Sequence, residues 1–452
     1  MKNKRGVLDV LTIGFALFSM FFGAGNVIFP PYLGLQSGRL WLGGFAAYYF
    51  ADVLLALLAL FALLREGSAE RVMDRLGRKA ATVVMTIVIL CIGPMLAIPR
   101  TAATTFEMGV SQLVPGLSAA LFSVLFFAVI LALSIRESAV IDIIGKFLTP
   151  ALLLGLALLI VVGMVRPLGA VSPETRVDSV VVTGIQAGYH TMDVLAALVF
   201  GAVLVKSAAD KGYADATPRQ KVLVRASVVA GVLLLLVYFG LAYLGATVSR
   251  LYSPEIGRAE LVIAIVQGLL GRAGLIVFAI VVALACVTTA VALVSAAADH
   301  LATLCRGKVS YKAFVVIICV FSAVVANLGL DTIVSIAAPI LGLVYPPVLV
   351  LVLVSLIAPH MSNSICICAV LGALLASVLS ALDSFGLSMP WLQRLPLAKV
   401  DMAWVLPALL GASRPSYTGC PGWSGRRTRR TSRTRTERGL SEPFASVLGL
   451  CA

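Results

Sequence analysis

The residues of this chain that could do chemistry are a few polar or helix-breaking residues set inside apolar runs. Near the N-terminus, the run GFALFSMFFGAGNVIFPPYLG contains Gly23, Gly25 and Asn26, followed by Pro30 and Pro31. Glycine and asparagine weaken a helix, and proline removes a backbone donor. In hydrocarbon, freed N–H and C=O groups persist only where they line a protein-enclosed cavity. The run therefore indicates either a kinked structural helix or the broken helix of a midplane binding site.

A second interrupted run, TGIQAGYHTMDVLAALVFG, begins at residue 183. Six of its residues interrupt the apolar pattern: Gly184, Gly188, Tyr189, His190, Thr191 and Asp193. Ionisable groups inside a membrane are costly and by default functional. Asp193 either belongs to such a site or caps the second half of a broken helix, and a capped half-helix end would help to build the site.

Two further spans carry polar groups. Thr288 and Thr289 lie among small residues in an apolar span. Their hydroxyls either bond back to a carbonyl one turn earlier or supply oxygen ligands to Na+. By repeat symmetry, the span that carries these threonines matches the span 80–105, which contains Pro94, Pro99 and Arg100. The prolines bend that helix, and Arg100 must pair or extend to an interface, as a gate or a helix-end anchor. We assign Asp193, Arg100 and the proline pair at 30–31 structural or gating roles.

These residues are positioned by membrane-spanning helices. Hydrophobic residues make up 60% of the 452 residues, charged residues 12%, and the mean hydropathy is +1.03. Apolar runs of roughly 18 or more residues recur along nearly the whole chain, which predicts an all-α polytopic membrane protein. The three histidines and eight cysteines are scattered, so no transition-metal site is expected. No cluster of acid, base and nucleophile indicates an enzyme.

Hydropathy predicts eleven helices and an incomplete twelfth. The predicted spans are 9–34, 39–64, 80–105, 117–135, 143–165, 180–205, 222–248, 273–303, 311–327, 331–358, 364–386 and 396–412. The loops on the side of residues 1–8 hold 18 Lys and Arg, against 8 in the opposite loops. Since positive loops face the cytoplasm, a cytoplasmic N-terminus is expected.

The spans divide into two halves of similar length. The first five cover 9–165, a linker covers 166–179, and the next five cover 180–358. An odd number of spans in each half reverses the orientation of the second half, which predicts an inverted repeat whose two first helices are broken. Additional helices are expected over 359–411.

Four segments are recognisable as family motifs: FSMFFGAGNVIFPPYLG (18–34), GPMLAIPRTAATTFE (93–107), GYHTMDVLAALVFG (188–201) and LACVTTAVAL (284–293). They resemble the branched-chain amino acid:cation symporter family of bacteria, from about residue 8 to residue 411. The resemblance implies import of L-leucine, L-isoleucine and L-valine across the inner membrane, coupled to Na+ or H+. It also implies the LeuT-type fold of five-plus-five inverted repeats, followed by two further helices. The expected partners are these amino acids and the lipid bilayer, with no nucleic acid and no cofactor besides the coupling ion.

The resemblance implies roles for residues in the first broken span. Gly23, Ala24 and Gly25 match an unwound segment whose backbone amides receive the substrate carboxylate. Exposed N–H groups at the positive end of a half-helix suit an anion. Asn26 matches a side chain whose oxygen binds the ion or the substrate.

The resemblance also implies roles in two later spans. Gly188, Tyr189 and Thr191 match the second broken span and are expected to face the substrate. Thr288 and Thr289 match the usual sodium-ligand position. Substrate and cation would bind together at the midplane, and rocking of one helix bundle against the other would expose them alternately to each side.

The family pattern ends abruptly near residue 411. The apolar sequence gives way to ASRPSYTGCPGWSGRRTRR, and residues 412–452 form a basic, Arg-rich tail. Much of the net charge of +14 lies there. The tail is expected to be disordered. It is either a genuine cytoplasmic tail that attracts anionic lipid or the product of a frameshift. If the tail is the product of a frameshift, the alternative is that the chain is a non-functional or impaired carrier.

Overall fold

The computed structural model of this chain describes residues 2–135, 149–213, 215–384, 395, 397–398 and 402–413. These residues are helical and contain no strand. Seven helical stretches among them are long and apolar enough to cross a membrane, and four shorter helices are also apolar. Large apolar side chains such as Leu154, Leu236 and Val324 are exposed on outer faces, which suits contact with lipid. The predicted all-α polytopic class is therefore confirmed.

The first half of the described chain runs through ten helices. They are α1 (Lys2–Phe21), α2 (Ala24–Ser37), α3 (Trp41–Tyr49), α4 (Leu55–Glu66), α5 (Ala69–Met73), α6 (Arg78–Leu90), α7 (Ala97–Thr105), α8 (Ser111–Leu113), α9 (Ala119–Ser134) and α10 (Thr149–Val165). Three π-helical turns lie between some of these helices: Phe50–Leu54, Cys91–Met95 (with a kink at Gly93) and Phe106–Val110. Turns of this kind occur often at functional sites.

The second half contains longer helices. They are α11 (Val180–Thr191), α12 (Asp193–Asp210), α13 (Ala216–Thr247), α14 (Arg258–Leu304), α15 (Tyr311–Ala326), α16 (Leu330–Ile357), α17 (Asn363–Ser384) and α18 (Val405–Ala412). Ser179 and Ser310 begin α11 and α15 as N-caps, since each hydroxyl accepts a hydrogen bond from the amide three residues later. At eight residues, α18 is too short to span a bilayer.

The broken helices lie at the centre of the packing. α13 packs along α1 and α2, α11 packs on α3, and α12 packs on α4. α14 lies against α7, so the two breaks are enclosed by helices from both halves of the chain. This enclosure is the condition under which interrupted backbone is stable at membrane depth.

Both breaks are narrower than the sequence predicts. The first is confined to Phe22 and Gly23, and the second to Met192. Gly25 and Asn26 lie in the first turn of α2, where backbone N–H groups lack an intrahelical acceptor in any helix. Proline and glycine propensities are local, whereas neighbouring helices decide where the chain unwinds.

Several residues that weaken helical propensity nevertheless lie inside helices. Pro30 and Pro31 lie inside α2, which continues through both of them to Ser37. Gly184 and Gly188 lie inside α11, which is continuous to Thr191. The predicted basic tail at 412–452 falls outside the described residues from position 414 onward, as do residues 136–148 and most of 385–401.

Candidate functional site

The first break joins the opposite ends of two half-helices. α1 ends at Phe21, and Gly23 has an extended backbone (φ −110°, ψ −167°) before α2 begins at Ala24. The last turn of α1 contains no basic residue, and the first turn of α2 contains no acidic residue. The negative end of the α1 dipole and the positive end of the α2 dipole therefore meet without charged side chains of their own helices. Such ends can bind a cation and an anion.

The second break is already compensated by protein charges. Met192 adopts a left-handed conformation (φ 71°), and Asp193 begins α12. Arg100 Nη1 donates to the carbonyl of His190 at 2.5 Å, and Nη2 donates to that of Thr191 at 3.1 Å. The guanidinium thus neutralises the negative end of α11, while the Asp193 carboxylate lies at the positive end of α12. The sequence predicts that Arg100 must pair or extend to an interface, and in the structure it pairs with this helix end.

Arg100 also reaches the first break. Its side chain is 4% exposed, and a methyl group at Gly25 would lie 2.8 Å from Nη2. One guanidinium therefore reaches both breaks, and its buried Nε donor has no hydrogen-bond partner among the described residues.

A buried polar network connects the breaks to α13 and to the π turn at Phe50–Leu54. Asn26 Nδ2 donates to Asp193 Oδ2 at 2.8 Å and to the hydroxyl of Tyr238 at 2.5 Å. The hydroxyl of Thr191 donates to Asp52 Oδ1 at 2.7 Å and lies 2.6 Å from the carbonyl of Gly188. Asp52 belongs to the π turn and is fully buried. Polar groups at this depth are stable only within such a network.

The two threonines of α14 differ in their hydrogen bonding. The Thr288 hydroxyl donates to the carbonyl of Ala285 at 2.7 Å, within its own helix. Thr289 Oγ1 is buried without a partner among the described residues, and it would lie 3.4 Å from a methyl group at Gly23. Thr289 is therefore the hydroxyl of this pair that remains available to a ligand at the first break.

A cavity of about 30 Å³ lies between the two breaks. Its polar lining residues are Asn26, Arg100, Thr101, Thr191, Asp193 and Thr289, together with the backbone of Gly23 and Ala24. Its apolar walls include Met20, Phe21, Ile92, Ala196, Phe200 and Leu293. This volume holds about one or two water molecules, so a larger ligand requires the walls to separate. The rings of Phe21 and Phe200, in these walls, meet edge-on with centroids 6.2 Å apart.

Other predicted site residues lie around the cavity without lining it. Gly188 allows α11 to approach the π turn, because a methyl group there would lie 2.8 Å from Ala51 Cβ and 2.9 Å from the Asp52 amide. Tyr189 stacks on Tyr345 of α16 with ring centroids 4.7 Å apart. The predictions that Gly188 and Tyr189 face the substrate remain predictions.

Sequence reasoning missed Asp52 and Tyr238. A carboxylate in the middle of the predicted span 39–64 was a signal, because an acidic residue at that depth is costly. Tyr238 gave no comparable signal, since tyrosine is common in apolar spans. Its role as a partner of Asn26 depends on the packing of α13 against α2.

The end of α2 farthest from the break is tied to two other elements. Tyr32 donates its hydroxyl hydrogen to the carbonyl of Pro254 at 2.6 Å, and the Arg258 guanidinium lies 4.8 Å from the centroid of its ring. Arg258 also forms an ion pair with Asp331, at the start of α16. These contacts join the end of α2 to the starts of α14 and α16.

The helices adopt the LeuT-type fold, which is shared by several transporters of known structure. The structure is similar to that of Mhp1, a nucleobase-cation-symport-1 family transporter, with a TM-score of 0.61, 16% identity and coverage of 89% of this chain and 91% of that one. It is also similar to MhsT in complex with L-phenylalanine, with a TM-score of 0.53, 16% identity and coverage of 88% and 98%. These likenesses confirm the predicted fold class.

The family is given by sequence comparison. The model of the branched-chain amino acid transport protein family matches residues 7–414. The branched-chain amino acid transport system 3 carrier protein of Pseudomonas aeruginosa is 37% identical over 413 residues, covering 89% of this chain and 94% of the relative. The permease BraB of Bacillus subtilis is 34% identical over 429 residues, covering 91% and 96%. The chain belongs to this family, which consists of transport proteins and not enzymes.

Proposed function

We propose that the protein imports leucine, isoleucine and valine across the bacterial inner membrane by symport with Na+ or H+. Its N-terminus would lie in the cytoplasm, as the distribution of Lys and Arg predicts. Membership of a branched-chain amino acid transport family supports the substrate class. The observation that carries the proposal is the first break, where two half-helix ends meet without charges of their own.

The amino acid carboxylate would bind at the N-terminal amides of α2. Ala24 and Gly25 supply these amides, and the Arg100 guanidinium, whose Nη2 would lie 2.8 Å from a methyl group at Gly25, adds a charged group near them. Charge-assisted hydrogen bonds of this kind are about twice as strong as neutral ones. A coupling Na+ would lie near the carbonyl end of α1 with the hydroxyl of Thr289, one of the two threonines that the family resemblance assigns to the ion.

The branched side chain would occupy the apolar side of the cavity. Met20, Phe21 and Phe200 would move apart to admit it. A pocket of this kind discriminates a single methylene by only about 1–3 kcal/mol, so leucine, isoleucine and valine should all be accepted. The moving walls belong to α1 and α12, the half-helices that alternating access displaces.

Uptake by proteoliposomes tests the proposal. Purified protein would be reconstituted with a Na+ gradient or a pH gradient imposed separately, and radiolabelled leucine would be followed. Accumulation under at least one gradient, inhibited by excess isoleucine or valine but not by glutamate, is expected. Leucine uptake equal to that of protein-free liposomes under both gradients would contradict the proposal.

A further inference from the structure

We infer that the carboxyl groups of Asp52 and Asp193 form a proton-binding pair, and that the shared proton is the ion transported with the amino acid. The inference rests on the proposed function and assigns its coupling ion and the site of that ion. The pair brings together the π turn between α3 and α4 and the first residue of α12.

The two carboxyl groups lie within hydrogen-bonding reach of each other in a fully enclosed setting. Asp52 is 0% exposed and Asp193 is 5% exposed, and their side chains interact directly. Two adjacent carboxylates cannot both be ionised at low cost, so such a pair holds a proton between them. Neither group forms an ion pair in the part of the chain that the structure describes.

Unsatisfied atoms beside the pair support the same conclusion. Asp52 Oδ1 accepts from Thr191, but Oδ2 is buried and no donor among the described residues completes a hydrogen bond to it. The hydroxyl of Tyr48 is likewise buried beside this carboxyl without a completed hydrogen bond. A proton on either carboxyl would supply the donor that Asp52 Oδ2 lacks.

The charges around the pair do not replace that proton. The titratable groups that interact with it from the surrounding helices are Tyr48, Tyr49, Arg100, Tyr238 and Tyr345. Arg100 is the cation among them, and its Nη1 and Nη2 donate to backbone carbonyls at the end of α11. Direct contact between the carboxyls and dense packing by tyrosine rings favour a proton over a metal cation, which would need several oxygen ligands around it.

The pair is linked to the substrate site by Asn26. This residue lies in the first turn of α2 and donates to Asp193 Oδ2, and both residues line the cavity. A substrate carboxylate at α2 adds a negative charge to a low-dielectric site that already contains two carboxyl groups. Protonation of the pair removes one negative charge, so each ligand strengthens the binding of the other. Only an O–H bond forms and breaks during the cycle.

Proteoliposomes containing the full chain test the pair through its pH response. A pH gradient of one unit drives about tenfold leucine accumulation for one coupled proton. The wild type and Asp74→Asn, which changes an exposed carboxylate in the same way, should accumulate leucine and acidify a lumen loaded with a pH dye. Asp52→Asn should lose both responses, and any leucine exchange that remains should be independent of pH.

Tyr48→Phe provides a variant that removes one hydroxyl and keeps the ring. Its transport should still respond to a pH gradient, because both carboxyl groups of the pair are retained. Wild-type uptake driven by Na+ and indifferent to pH, or a pH response of Asp52→Asn equal to that of the wild type, would overturn the inference and leave the proposed function intact. Absence of wild-type leucine uptake under every gradient would instead reject the proposed function.

Discussion

The guanidinium of Arg100 occupies the space that a side chain at Gly25 would need: a methyl group there would lie 2.8 Å from Nη2 and 3.0 Å from Cζ. The same guanidinium holds the carbonyl of Thr191 on the other broken helix. Glycine at position 25 therefore allows one arginine to connect both breaks. The absence of a side chain at Gly25 matters more than its backbone flexibility, because Gly25 lies in a regular helical turn.

Gly25→Ala should displace Arg100 and weaken leucine binding. Overpacking a buried site costs about 1–3 kcal/mol, so an increase in the leucine KM of about fivefold to a hundredfold is expected. The measurement is the concentration dependence of uptake. Gly342→Ala is the matched control, since a methyl group there meets no other atom within 4 Å, and it should leave KM unchanged. If Gly25→Ala kept the wild-type KM, Arg100 would not be part of the carboxylate site.

Thr289→Val should impair transport, whereas Thr288→Val should have little effect. Both substitutions exchange a hydroxyl for a methyl group, but the Thr288 hydroxyl only bonds back to Ala285 while Thr289 Oγ1 has no described partner and lines the cavity. Loss of one ligand hydrogen bond costs about 0.5–1.5 kcal/mol, which corresponds to a KM increase of about twofold to tenfold. Equal effects of the two substitutions on leucine KM would contradict this distinction.

The sequence predicts the fold class and the approximate positions of both breaks, because hydropathy and glycine–proline punctuation are local signals. It also predicts Arg100, Thr191 and Asp193 as residues of interest, and the structure places all three at one cavity. It does not distinguish Thr288 from Thr289, since the two differ only in the helix face that α14 turns toward Gly23. Such differences depend on helix rotation within the packed bundle.

The same limit explains the residues that the sequence misplaces or omits. Gly188 is predicted as part of an unwound segment, yet it serves close packing of α11 on the π turn around Ala51. Asp52 approaches Asp193 through contacts between residues more than a hundred positions apart in the chain. No local pattern encodes a contact of that kind, although the cost of a buried carboxylate marks Asp52 as unusual.

Phe200→Ala should broaden the substrate range. The Phe200 ring meets Phe21 edge-on at 6.2 Å and closes the apolar side of the cavity. Removing a ring should improve phenylalanine or methionine relative to valine by about 1–3 kcal/mol, or roughly fivefold to a hundredfold in the ratio of kcat/KM. Competition of these amino acids with labelled leucine measures the change. Phe127→Ala, at a buried ring outside the cavity lining, is the control for general loosening of the bundle.

Breaking the Arg258–Asp331 ion pair should loosen the contacts that hold the far end of α2. Arg258 contacts both Asp331 and the ring of Tyr32, so it joins the start of α14, the start of α16 and the end of α2. Both partners are partly exposed, and a pair of this kind contributes only about 0.2–1 kcal/mol. Asp331→Asn should therefore raise the leucine KM by no more than about fivefold. The charge-swapped protein, Arg258→Asp with Asp331→Arg, should recover part of the loss if the ion pair is responsible. If the swap fails and Tyr32→Phe shows a similar defect, the end of α2 is held by the tyrosine hydroxyl and its hydrogen bond to Pro254, and the ion pair is not responsible.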